Sequence, residues 1–250
     1  MRHQVLTALL LAAGAANASS PSGFGLDVLV NGSSRPELAA RGTVYVEALK
    51  GRDYALRLSN PTGRRVAVAL SVDGLNTIYA KHTSSRDARK WVLAPYETVV
   101  IPGWQVNNAV SRKFVFTGER GSYGAALGKT EDLGIIEAVF FRENLPYRAE
   151  AYPDAAQAPA PRESVARDQS QKSSSLSDEY AATGMGNKTR FGVERVDIDL
   201  ENEPAAVVRL RYEFRPQLVA LGVLPSDPDP ARIARRERAR GFDEFCPEVR

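Results

Sequence analysis

The amino-acid sequence predicts an all-β protein, an antiparallel, jelly-roll-like β-sandwich with a disordered insertion and a short C-terminal helix. Three observations carry that prediction. From Leu26 to Arg142, short Val-rich and aromatic-rich runs alternate in polarity and are broken by Gly, Pro, Asn and Asp, the pattern of half-buried strands joined by turns. Pro153 to Lys188 is rich in Ala, Pro, Ser and Gln, with almost no large apolar side chain apart from Leu176, Tyr180 and Met185, too few to offset the entropy of ordering. Alternation then returns from Glu194 to Phe214, so the chain reads as one sandwich interrupted by an excursion.

The elements follow in order. Residues 1–18 read as a signal peptide: Arg2 and His3 give a cationic start, Val5 to Ala16 form an apolar run, and Ala16-Asn17-Ala18 puts small residues where a peptidase cuts. The run is too short to span a bilayer, and no later stretch is long and apolar enough, so the mature chain from Ser19 is expected to be secreted or periplasmic. The sandwich domain is placed at 19–152. Its strands are expected at Leu26–Asn31, Thr43–Ala48, Asp53–Ser59, Arg65–Asp73, Thr77–Lys81, Lys90–Leu93, Thr98–Ile101, Lys113–Thr117 and Ile135–Phe141. Asn60-Pro61-Thr62-Gly63 is read as the loop of a hairpin, with Gly63 left-handed, Leu58 opposite Val66 and Leu56 opposite Val68.

Residues 153–188 form the expected linker and 189–224 a hairpin that completes the sandwich. In that hairpin, Leu200 facing Val208 would set Asp199 against Arg209, Asp197 against Arg211 and Arg195 against Glu213, a ladder of opposite charges. Pro216 to Leu221 reads as one or two helical turns stopped by Gly222. The tail, 225–250, holds a helix over 231–240 with an excess of four positive charges, from Arg232, Arg235, Arg236, Arg238 and Arg240 against Glu237.

Composition narrows the chemistry. With 33 basic and 30 acidic residues in 250, the net charge of +3 cannot generate the broad positive field of a specific nucleic-acid binder. After signal removal His82 is the one histidine and Cys246 the one cysteine, too few for the usual zinc sets, so no metal and no cofactor is predicted. Ser-His-Asp or Cys-His catalysis would rest on His82 alone, in a segment that reads as an exposed loop. Cys246 is either free or paired with another molecule.

Three constellations are weighed as sites. Trp104, with Tyr79 and Tyr96, is the candidate sugar-stacking surface, since a flat π-face complements the C–H groups of a pyranose; Trp91, in phase with Leu93, reads as core. Glu137 interrupts the apolar run Ile135 to Phe141, which calls for an arginine partner or a raised pKa, and glycoside hydrolysis would need a second acid that the sequence does not identify. Asp73-Gly74-Leu75-Asn76 lacks the repeated acids of a calcium loop and reads as a turn.

Val72-Asp73-Gly74-Leu75-Asn76, Trp91-Val92-Leu93-Ala94-Pro95, Ile101-Pro102-Gly103-Trp104 and Phe114-Val115-Phe116 make the first domain resemble a group of bacterial exported proteins with no assigned activity. Lys90-Trp91 stands where that group usually has Gly-Tyr, and Tyr212 to Gly222 resembles its closing strand. The resemblance implies an exported β-sandwich and no mechanism. With no assembled catalytic set, the function expected is a non-enzymatic interaction or binding module of the cell envelope. Its partner would be an envelope protein or a glycan, with the C-terminal arginines contacting an anionic surface. The alternative is a carbohydrate-active protein, either a sugar-binding module or a hydrolase using Glu137.

Overall fold

The computed structural model describes residues 23–144, 176–226 and 237–238. It is a sandwich of two seven-stranded sheets. The first sheet contains β1 (Gly25–Val30), β2 (Ser33–Ser34), β5 (Asp53–Ser59), β9 (Thr98–Ile101), β10 (Gly103–Gln105), β11 (Val110–Gly118) and β13 (Ala181–Arg190). The second contains β3 (Glu37–Ala40), β4 (Thr43–Ala48), β6 (Val66–Val72), β7 (Leu75–Asn76), β8 (Trp91–Leu93), β12 (Ile135–Arg142) and β14 (Ala206–Phe214). Two short α-helices, α1 (Tyr123–Ala126) and α2 (Arg215–Ala220), and a 3-10 turn over Glu119–Gly121 accompany the strands.

The central strands form where alternation is strongest. Tyr54, Leu56 and Leu58 on β5 and Val66, Val68, Leu70 and Val72 on β6 are all buried, as the alternation requires. The expected hairpin between them does not form. β5 pairs with β1, β9 and β11 in the first sheet, whereas β6 pairs with β7, β8 and β12 in the second, so the two apolar faces pack on each other across the sandwich. Gly63 is not left-handed. The connection is an arch organised by buried Asn60, whose Oδ1 accepts from the Thr62 N–H at 3.0 Å while its Nδ2 donates to the carbonyls of Arg64 and Ala94, each at 2.8 Å.

Three other expectations are corrected. Thr77–Lys81 is a series of turns after the two-residue β7. Strand β13, paired with β11 from Gly118↔Ala181 to Val110↔Arg190, takes residues 181–188 from the expected linker and 189–190 from the expected hairpin; linker residues 153–175 lie outside the described residues. Small side chains are what this strand needs, because a Cβ on Gly184 would stand 3.1 Å from the Gly121 carbonyl. The ladder of Asp197 and Asp199 with Arg209 and Arg211 is absent because Glu194–Leu200 is not a strand apart from one bridge, Leu200 to Glu143. β14 instead enters the middle of the second sheet, antiparallel to β12 and parallel to β4. Expected helix Pro216–Leu221 is α2, one residue earlier, with Leu218 buried beneath it.

The Ile-Pro-Gly-Trp motif has a steric basis. A Cβ on Gly103 would lie 1.8 Å from the Arg112 carbonyl oxygen, backbone that cannot swing aside while β10 pairs with β11. Gly103→Ala is therefore expected to cost about 3 kcal/mol or more, at the upper end of overpacking losses, measurable as a lowered denaturation midpoint. An unchanged midpoint would show that this pairing is dispensable.

Candidate functional site

The sugar-stacking surface does not exist as expected. Trp104 is 2% exposed, meets Phe114 and Tyr123 edge-on at 5.2 and 5.1 Å, and donates its indole N–H to the Gly184 carbonyl at 3.2 Å. Tyr96 is 74% exposed, in a left-handed turn beside Gly63, where it bonds Thr62. Tyr79 sits beyond the opposite end of β6, with Arg89 and Lys81 over its ring and its hydroxyl 2.8 Å from Thr83 Oγ1. A seven-residue strand separates the two tyrosines by roughly 20 Å, too far to stack on one sugar. Trp91 is core, as expected, and donates to Thr77 Oγ1 at 2.9 Å.

What the fold does build is a groove of about 410 Å³ on the outer face of the second sheet. Its floor follows from register: Glu137 lies between Ser71 and Arg209, and Val139 between Ala69 and Val207, so a polar row runs beside an apolar one. Its roof is the stretch from Lys81 to Ala88. Ala69, Ala88, Val139 and Phe141 form a small satellite core where roof meets floor.

Buried Asn76 holds the base of the roof from both sides. Its Nδ2 donates to the Arg89 carbonyl at 2.8 Å, its Oδ1 accepts from the Ile78 N–H at 3.0 Å, and its carbonyl accepts from the N–H of Ala80, which is left-handed at φ 54°. At the far end Arg86 donates to Asn202, tying the roof to the 193–204 segment. Lys90 reaches the carbonyls of Arg86 and Ala88 at 2.6 and 2.9 Å, and partial burial beside the Phe141 ring pulls its pKa down.

The groove brings together residues far apart in sequence. Glu137 has the arginine partner its position called for: Arg209 Nε donates to Glu137 Oε2 at 2.6 Å and Nη2 touches the same oxygen. His82, expected on an exposed loop, is on the exposed roof, with Nδ1 3.6 Å from Asp132 Oδ2. Ser84 Oγ is committed to Asp87 at 2.6 Å. Exposed Lys81 lines the groove, its ammonium 5.8 Å from the Tyr79 ring centroid. Nothing in the sequence marked Asp132 or Arg209 as groove residues. A polar residue at the same depth of three apolar strands, Ser71, Glu137 and Arg209, was the one available signal.

The Asp73-Gly74 turn is confirmed, with both residues left-handed at φ 52° and 71° and Val72 facing Leu75 across it. Its conformation is that of a two-residue type I′ hairpin. The acid itself is buried in the interior. Its Oδ1 accepts from the Gly134 N–H at 2.8 Å and the Tyr212 hydroxyl at 2.5 Å, and its Oδ2 from the Thr183 N–H at 2.7 Å. Thr183 Oγ1 lies 2.6 Å from Tyr212 and 2.7 Å from Tyr54, so a hydroxyl chain leads from Asp73 into the first sheet. Burial pushes the Asp73 carboxyl up to about 7 despite these donors.

Of the tail arginines, Arg238 is described and exposed, while Arg232, Arg235, Arg236 and Arg240 lie outside the described residues, as do the signal segment and Cys246. No family model, curated protein or solved structure matches the chain.

Proposed function

We propose that this protein is an exported, non-enzymatic binding module of the cell envelope whose ligand surface is the groove between the 81–88 roof and the β6–β12–β14 floor. The observation that supports this reading is a walled concavity of ligand size in which Glu137 is held by the Arg209 guanidinium and Asp132 stands beside the His82 imidazole. Roof hydroxyls, the Lys81 ammonium and an apolar strip at Ala69 and Val139 suit a small polar ligand. The tail arginines would add contact with an anionic envelope polymer, a term that weakens with salt.

The test is a glycan array and a panel of amino acids and short peptides, probed with the chain lacking residues 1–18. A ligand of the groove is expected to bind about tenfold more weakly to Lys81→Ala at nearly unchanged thermal stability, because an exposed ammonium contributes little to folding. Binding unaffected by Lys81→Ala and Arg209→Ala would remove the groove from the reading.

A hydrolase is the second reading, favoured by one observation: Glu137 and Asp132 line the same groove. Glycosidases of both stereochemical classes use two carboxylates flanking the bond. Hydrolysis of aryl glycosides that falls at least about a hundredfold in both Glu137→Gln and Asp132→Asn would establish it. The Arg209 guanidinium on Glu137 weighs against that outcome, since two of its nitrogens contact Glu137 Oε2 as an ion pair.

A further inference from the structure

Where the chain re-enters the sandwich, acids receive its backbone. β13 pairs with β11 along one edge. Along the other, the Ala181 N–H donates to Glu213 Oε2 at 3.1 Å and the Thr183 N–H to Asp73 Oδ2 at 2.7 Å; just before the strand, the Ser177 N–H donates to Glu119 Oε2 at 2.7 Å. Alternate N–H groups of a strand point to the same edge, so Ala181 and Thr183 present donors where a neighbouring strand would otherwise supply carbonyls. Glu213 is on β14 and Asp73 on the β6–β7 turn of the second sheet, while β13 belongs to the first, so these two contacts bridge the sandwich.

We propose that this carboxylate clamp fastens residues 177–184 to the second sheet in a proton-dependent way, held at acidic pH and loosened as Asp73 and Glu213 ionise on the way to neutrality. The geometry supplies the reason. An ionised carboxylate in the interior loses its hydration, and the hydrogen bonds it accepts return part of that loss. Burial pushes Asp73 up to about 7, and burial, with the nearby Glu119, pushes Glu213 up as well. When the strap opens, both acids regain water and return toward ordinary carboxylate values.

The closed state therefore binds protons more tightly than the open one. Closure is strongest below the ordinary Asp value of 3.8 and weakens as pH rises to about 7. Other polar groups face the clamp from the neighbouring elements. Lys50 Nζ and Arg120 Nε donate to the carbonyls of Asp178 and Leu176, Arg211 lies near Glu213, and Tyr54 and Tyr212 are neutral phenols pushed further up by burial. Asp178 packs on Gly118; on the far side of the turn Asp132 packs on Gly74, with His82 beyond it, both outside the buried chain.

Hydrogen exchange of the full chain between pH 5 and 7, corrected for the intrinsic pH dependence of exchange, tests this. Protection of 177–184 is expected to fall about hundredfold, tenfold per pH unit, while remaining lower than that of β1 and β5 throughout. Asp73→Asn with Glu213→Gln is expected to flatten the slope. A flat wild-type profile, or protection equal to that of β1 and β5 at every pH, overturns the proposal. Should the double variant fail to fold, a carboxyl NMR titration of the wild-type chain decides: an Asp73 midpoint near 4 overturns the proposal, and one near 7 with a shallower exchange slope in Glu213→Gln supports it.

Discussion

Asp73→Ala is expected to lower stability by about 3–5 kcal/mol, because it leaves the Gly134 and Thr183 N–H groups and the Tyr212 hydroxyl buried without an acceptor. Each orphaned donor costs about 1–3 kcal/mol, and the three share one network, so their sum is an upper bound. Alanine is also a poorer occupant of the left-handed position at φ 52°. Asp73→Asn separates the parts: asparagine tolerates that conformation and keeps an acceptor, but has no proton to lose.

The pH dependence follows from the same group. Asp73 is raised from 3.8 to about 7, so its folded form prefers the proton, and its contribution is complete below the unfolded value and gone by about pH 7. The loss is on the order of 4 kcal/mol. Glu37 acts in the same direction: burial first, then the Asp27 charge, push it up to about 7, and among the described residues its Oε2 has no hydrogen-bond partner. Urea denaturation at pH 4.5 and 7.5 is expected to show the wild-type chain less stable at the higher pH and Asp73→Asn with a clearly smaller loss, the remainder coming from Glu37 and Glu213. A wild-type chain that gains stability across that interval would contradict the assignment.

Trp104→Ala is expected to cost about 3–5 kcal/mol through the cavity it leaves, not through a lost sugar contact. The ring is fully packed against Phe114 and Tyr123, and its N–H is one of the bonds holding β13 at Gly184. The variant's folded fraction is expected to bind any glycan as the parent does. If the denaturation midpoint stays put while glycan binding disappears, Trp104 is a surface platform after all.

The two tryptophans show why strand pattern was legible and sites were not. Alternation determines which side chains share a face, and that placed Tyr54, Leu56 and Leu58, Val66 to Val72, and Trp91 correctly in the interior. It carries no information about which strand lies alongside. β5 and β6 satisfy one pattern either as a hairpin or as two strands packed face to face, and the Asn60 arch selects the second. The charge ladder failed for the same reason: Arg209 needed a carboxylate neighbour, and register supplied Glu137 from β12 in place of Asp199.

β13 was illegible for the opposite reason. Its Ala, Thr and Gly residues are small because neighbouring backbone and aromatic rings come close, so it lacks the apolar bulk by which strands are recognised. The groove was equally hidden, since Lys81 and Asp132, Glu137 and Arg209 meet through loop placement and sheet order.

By itself the sequence determined the sandwich class, nearly all the central strands, the Asp73-Gly74 turn and helix α2, because these depend on local conformational preference and on burying one face of each strand. Sheet membership, the burial of Trp104, the groove and the acids that hold β13 were decided by tertiary structure alone. Each depends on which distant segments become neighbours, and that is settled by packing two sheets together and not by any single stretch of chain.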